Sequence, residues 1–205
     1  TYAKLKTLYA NQPTLLTRGG KSSDFQQYST PIHLGFLVQE FAGITDQTSN
    51  YEPTAGNGML VTKGNQSTTL VNEIDEKRRT NLSDQGFAVE GNDATKVDPP
   101  AKSFDTMTAN PPFGMTEEQV FDGFTLKKLE HVIVAKALGG LKDNGKAAFI
   151  IGGEHFNKEG KLTGNDRVFL SWLHSHFNVE ANIEIPGSEY AGQGAKYPTR
   201  LISVN

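Results

Sequence analysis

Within this 205-residue chain, Asn110-Pro111-Pro112-Phe113 is the stretch whose residue types can hold a reacting group. It follows Phe104-Asp105-Thr106-Met107-Thr108-Ala109, which reads as a short strand running out of a sheet. An asparagine side-chain oxygen accepts one N–H. Pro111, whose nitrogen carries no proton, leaves a carbonyl free to accept a second. Phe113 offers a ring face for stacking. Together these groups suit one planar NH2 group. Prolines also end strands, so a plain strand-to-loop stop explains the same residues without a ligand.

Other polar groups recur where further strands are expected to end. Tyr51-Glu52-Pro53-Thr54-Ala55-Gly56-Asn57-Gly58 carries glycines that let backbone approach a bulky ligand, or simply make a turn. Val71-Asn72-Glu73-Ile74-Asp75 follows about 20 residues later, the place where an acid accepts both hydroxyls of a ribose. Glu73 suits that task, and Asp75 suits the cap of a helix opening Glu76-Lys77-Arg78-Arg79. In Gly91-Asn92-Asp93-Ala94, Asp93 either accepts an amino group or makes an Asx turn. Thr30 is placed as an N-cap with Pro31 at the first helical position. The same hydroxyl, beside the N–H groups of a helix N-terminus, can bind a carboxylate.

The elements that must position these groups follow from periodicity. Residues 2–10 show helical spacing, a polar loop covers 17–24, and Ile32, Phe36, Leu37 and Phe41 fall on one helical face. Strands are expected at 49–52, 68–74, 87–91, 103–109, 146–151, 179–185 and 199–204, and helices at 58–64, 76–85, 117–140 and 166–176. Strands alternating with helices imply right-handed crossovers and a parallel sheet covered on both faces. The last two strands are joined by a Gly-rich loop with no helix, so they should pair antiparallel. No internal repeat or low-complexity tract interrupts the pattern.

Composition narrows the chemistry. At 36% hydrophobic and 21% charged, the chain reads as one soluble globular domain, and a cytoplasmic location is the expectation. No apolar run is long enough to span a bilayer and no signal pattern opens the chain. The first residue is Thr1 and the last strand runs to the end, so a longer parent protein is expected. With no cysteine there is no disulfide, no thiolate zinc site and no thiolate to attack a cytosine ring, the step that methylation of its carbon 5 requires. Attack by an exocyclic nitrogen needs no such group. A net charge of −3 argues against a stand-alone nucleic-acid binder. Arg18, Lys21, Lys158, Lys161, Arg167 and Lys196 either line a basic groove or are scattered over the surface. The five histidines, His33, His131, His155, His174 and His176, read as structural or exposed, with no carboxylate at metal-ligand spacing from the one close pair.

On these residues the chain resembles the S-adenosylmethionine-dependent amino-methyltransferases, in which Asn/Asp/Ser-Pro-Pro-Tyr/Phe holds the target amine. Phe25-Gln26-Gln27-Tyr28-Ser29-Thr30-Pro31 is similar to the Phe-Tyr-Thr-Pro segment of the adenine-N6 DNA methyltransferases, where it folds over the methionine end of the cofactor. Ile185-Pro186-Gly187 with Lys196-Tyr197-Pro198-Thr199-Arg200-Leu201-Ile202 is similar to the closing hairpin of type I and related adenine methylases. The resemblance implies a Rossmann-like class I methyltransferase fold, α/β, with a mostly parallel seven-stranded sheet ending in an antiparallel hairpin. It implies an N-terminal helical segment with a cofactor-covering loop at 1–45 and a cofactor-binding core at 46–205. It implies S-adenosyl-L-methionine as cofactor and methyl transfer to adenine N6 in DNA, with no metal and no membrane. Asn110, Pro111, Pro112 and Phe113 would hold the flipped base. Tyr28, Thr30, Glu52, Thr54, Gly56, Gly58, Glu73, Ile74, Asp93 and Asn110 would hold the cofactor, Glu52 facing its amino group directly or through water. The family often has an aromatic beside the acid at Asp93, and Ala94 departs from that pattern. A DNA target-recognition region would lie outside this chain. Related enzymes act on guanine N2 of ribosomal RNA or on a protein glutamine, and a non-catalytic module of a larger DNA-processing protein is the third reading.

Overall fold

A computed structural model describes residues 1–12, 29–193 and 197–205. Helices α1 (Tyr2–Ala10) and α2 (Ile32–Ala42) precede an alternating series. It runs β1 (Asn50–Glu52), β2 (Thr69–Asn72), α3 (Glu76–Asp84), β3 (Ala88–Glu90) and β4 (Phe104–Ala109). There follow β5 (Met115–Phe121), β6 (Phe124–Lys128), α4 (Leu129–Leu138) and β7 (Leu141–Gly152). The series closes with α5 (Gly164–His176), β8 (Val179–Ile185) and β9 (Thr199–Val204).

Seven strands form one sheet in the order β3-β2-β1-β4-β7-β9-β8. The first five run parallel, and β9 lies antiparallel between β7 and β8. The chain steps outward from β1 to β3 and then restarts at β4 on the other side of β1. That reversal opens a crevice beyond the carboxyl ends of β1 and β4, where ligands of such sheets sit.

Both faces of the sheet are covered, so β1 and β4 are buried along almost their whole length even though they carry Asn50, Glu52, Thr106 and Thr108. On β7, Ala147, Phe149 and Ile151 join Phe169, Trp172 and Leu173 of α5. Ala148 and Ile150 point the other way, toward Leu34 and Val38 of α2 and Leu82 of α3. Each large side chain so buried contributes about 1.5–3 kcal/mol relative to exposure.

The seven-stranded sheet and its closing hairpin agree with the sequence reading, but three local expectations do not. The helix expected at 58–64 is a series of turns ending in a 3-10 turn at Gln66–Thr68. Gln39, 2% exposed, supplies the bonds a helical ladder would have made. Its amide donates to the Met59 carbonyl at 3.1 Å, and its oxygen accepts from Lys63 N–H at 2.8 Å. The helix expected at 117–140 is a β5–β6 hairpin followed by the shorter α4. Asp122 and Gly123, at φ 47° and 87°, make the two-residue connection that favours right-twisted hairpins. On α2 the buried face is His33, Leu34, Gly35, Val38, Gln39 and Ala42, whereas Ile32, Phe36, Leu37 and Phe41 are only half-buried. At Gly35 the helix packs too close for a larger residue: a Cβ there would lie 2.8 Å from Met59 Cγ.

Asp75 does cap α3, its carboxylate accepting the Arg78 N–H at 3.0 Å. Asp75→Ala should therefore destabilise the protein by about 1 kcal/mol, read as a lower urea midpoint with an unchanged m-value.

Candidate active site

Where the parallel strands stop, their last backbone groups have no ladder partner, and side chains take over. Asn72, buried at the end of β2, donates its amide to the carbonyls of Pro53 and Asn92, both at 2.9 Å. Its oxygen accepts Asn92 N–H at 2.8 Å. The next residue, Glu73, accepts Gly56 N–H at 2.8 Å with one oxygen and Asp75 N–H at 2.9 Å with the other. Gly56 stands at φ 58°, in the region a side chain disfavours. These bonds hold the loops after β1, β2 and β3 apart around a cavity of about 950 Å³.

Most residues singled out in the sequence meet in that cavity. Thr54, Gly56, Glu73, Ile74 and Asp93 line it together with Thr30, Asn110, Pro111, Pro112 and Phe113. Asp93 makes the Asx turn, accepting Thr95 N–H at 3.0 Å and the Thr95 hydroxyl at 2.7 Å. Burial pushes its carboxyl up, but those bonds and Lys96 outweigh it and hold it below the usual range. Thr30 is not the helix cap, since Pro31 occupies that position and no side chain bonds the first turn. Its hydroxyl instead accepts from the Asn110 amide at 2.9 Å. No described residue donates to Asn110 Oδ1 or to the Pro111 carbonyl.

Two of the expected residues stand behind the wall. Gly58, at φ 79°, packs against Leu82 and Phe87 and makes the turn rather than the surface. Glu52 is fully buried, accepting from Thr54 N–H at 3.2 Å and from the Thr108 hydroxyl at 3.3 Å. Burial outweighs those bonds and pushes its carboxyl up to about 8. A direct contact with a ligand in the cavity is therefore closed to it. Tyr28 lies outside the described residues, as do Phe25, Gln26, Gln27, Arg18, Lys21 and Lys196.

Several wall residues carried no signal in the sequence. Glu130, 2% exposed at the start of α4, accepts Gly114 N–H at 3.1 Å, while Gly114 O accepts Leu129 N–H at 2.8 Å. This reciprocal pair clamps the end of the Asn-Pro-Pro-Phe loop. Burial raises the Glu130 carboxyl above its ordinary value. Lys128 and His155 also line the cavity, and both bond Asp166, through Nζ at 2.5 Å and Nδ1 at 2.6 Å. His155, with its side chain 73% exposed, agrees with the reading of the histidines as structural or exposed. Tyr190 and Thr199 add two buried hydroxyls on the wall. The Tyr190 hydroxyl lies beside Asn110 and Thr199, outside normal hydrogen-bond geometry to either. Such groups are brought together by strands remote in sequence, so only a conserved pattern or a structure can reveal them.

No protein-family model matches the sequence, and no curated protein matches it. Solved structures do. The M protein of the EcoKI type I restriction enzyme superposes with a TM-score of 0.64 at 14% identity, covering 87% of this chain and 44% of that one. A modification subunit from Vibrio vulnificus, assigned to a type I restriction enzyme, gives 0.66 at 13% identity with the same coverages of 87% and 44%. A Pyrococcus horikoshii protein assigned as an RNA methyltransferase gives 0.59 at 18% identity, covering 100% of this chain and 95% of its own. The chain has the class I methyltransferase fold. In this methyltransferase fold the chain spans less than half the length of the two modification subunits.

The neutral state of Glu52 sets a pH dependence. Its folded value of about 8 lies above the ordinary 4.5, so between those values the unfolded chain releases a proton that the folded chain keeps. Stability is lost as pH rises through that window. Glu52→Gln removes the loss, so the variant should gain on wild type from pH 4.5 to 8, by about 5 kcal/mol or less. Denaturation midpoints that differ by a constant amount across that range would refute the buried, neutral carboxyl.

Proposed function

We propose that the cavity binds S-adenosylmethionine and that the protein transfers its methyl group to the N6 amine of adenine in DNA. The observation that carries this reading is the Asn110 carboxamide, with its oxygen and the Pro111 carbonyl both unclaimed by any described residue, on the wall of the cavity that Gly56, Glu73 and Asp93 also line. The residues fit the cofactor. Glu73, aligned by two backbone N–H groups, suits the ribose hydroxyls. Asp93 suits the adenine amino group, and Ile74, 49% exposed, offers an apolar surface for the ring. Gly56 leaves the turn bare, Thr54 lines it, and Glu52 acts on the site only through Thr54 and Thr108. The segment ending at Thr30 would cover the methionine end.

When bound, S-adenosylmethionine supplies an electrophilic methyl group on a sulfonium. Asn110 Oδ1 accepts one N–H of the target amine and the Pro111 carbonyl accepts the other. Two acceptors in fixed places draw the nitrogen lone pair out of conjugation and stabilise the positive charge that develops there. The alkylated amine is acidic enough to lose its proton to solvent, so the chain needs no strong base. Phe113 stacks on the base, which must leave the duplex to reach the pocket.

The likeness to modification subunits of type I restriction enzymes supports DNA as substrate, with a target-recognition region supplied outside this chain. The likeness to a protein assigned as an RNA methyltransferase, over nearly the whole of both chains, supports a second reading, an RNA amine. Labelled cofactor offered in parallel to DNA, RNA and protein separates them; label in RNA alone would overturn the adenine-DNA reading. Asn110→Ala should lower turnover at saturating cofactor on the order of a hundredfold while leaving cofactor affinity nearly intact. Glu73→Ala should do the reverse, weakening cofactor binding roughly tenfold by calorimetry as its hydrogen bonds to the ribose are lost.

A further inference from the structure

A carboxamide can present either its oxygen or its NH2 to a ligand, and the two are opposite in hydrogen-bonding character. Gripping an amine requires the oxygen. Something must therefore hold the Asn110 amide in one orientation, and the neighbouring chain identifies it.

We infer that Thr30 is a positioning residue: by accepting from the Asn110 NH2 it anchors the carboxamide with its oxygen left for the target amine. The bond spans 80 residues of sequence and is 2.9 Å long. Three observations make it a built contact. Thr30 is released from capping α2 because Pro31 holds that place without a side-chain bond. The adjacent Ser29 hydroxyl accepts from Asn57 at 3.5 Å, so the same two residues touch both the glycine turn and the Asn-Pro-Pro-Phe loop. Beside the amide lies the buried Tyr190 hydroxyl, next in sequence to Glu189, which bonds Lys6 and His33 Nε2. No described residue, Thr30 and Tyr190 included, donates to Oδ1.

This assignment rests on the proposed amine-gripping role of Asn110, and it differs from the cofactor-carboxylate role that the sequence implies for Thr30. The two make opposite predictions. Thr30→Val keeps the shape and removes the hydroxyl; Thr30→Ser keeps the hydroxyl. In the full chain, Thr30→Val should lower kcat at saturating S-adenosylmethionine on the order of tenfold or more, because a misaimed acceptor costs rate rather than binding. The dissociation constant for the cofactor should stay within about threefold, since one neutral hydrogen bond to another side chain is lost. Thr30→Ser should restore kcat. Independently of activity, the Asn110 side-chain NH2 resonances should shift in the cofactor-free Thr30→Val protein and not in Thr30→Ser. Unmoved resonances in Thr30→Val, or a full kcat at saturation with weakened cofactor binding, would overturn the assignment. If wild type transfers no methyl to adenine in DNA, the proposed function fails, while the resonances still decide whether Thr30 holds the amide.

Discussion

Parallel strands that end side by side leave carbonyls and N–H groups with no further ladder to join, and burying such groups unpaired costs about 1–3 kcal/mol each. Here two consecutive side chains at the end of β2 meet that demand. Asn72 ties the first residues after β1 and β3, and Glu73 ties Gly56 to the start of α3. The loops cannot collapse onto one another without breaking these bonds, so the crevice at the strand-order reversal stays open. The cavity is thus a consequence of how the sheet edge is satisfied, and its polar lining follows from the same bonds.

The charged groups around the cavity fall into two kinds. Glu52 and Glu130 are carboxyls in apolar surroundings, driven toward the neutral form by burial and serving as acceptors for nearby N–H or O–H groups. Asp93 and Asp166 are buried less completely and are held charged by donors, Thr95 in one case and Lys128 with His155 in the other. The interior pair shapes backbone, Glu52 behind Thr54 and Glu130 behind Gly114. The charged pair faces or supports the cavity wall.

How much was legible depends on the range of the interaction involved. Asp75 as a cap was readable because a cap needs only its own helix, three residues away. The closing β8–β9 pair was readable because no helix separates the strands. The hairpin at Asp122-Gly123 is legible in principle, since that dipeptide between Phe121 and Phe124 is a turn signal, but helical spacing across 117–140 competes with it. Residues 58–64 could not be read locally, because the groups that replace their helical bonds belong to Gln39.

For the site the same boundary holds. The amino-acid sequence by itself determined the kinds of groups at the strand ends: an amide between a strand and two prolines, glycines after β1, an acid after β2, an acid after β3. Those are local facts of residue type and order. Only the tertiary structure decided which of them reach a common cavity, placing Glu52 and Gly58 behind its wall and bringing Glu130, His155 and Tyr190 onto it. It also decided that the Thr30 hydroxyl meets Asn110 rather than a helix end. The physical reason is that side-chain hydrogen bonds act over about 3 Å of space and are indifferent to sequence separation, so the partners are chosen by how the sheet folds back on itself.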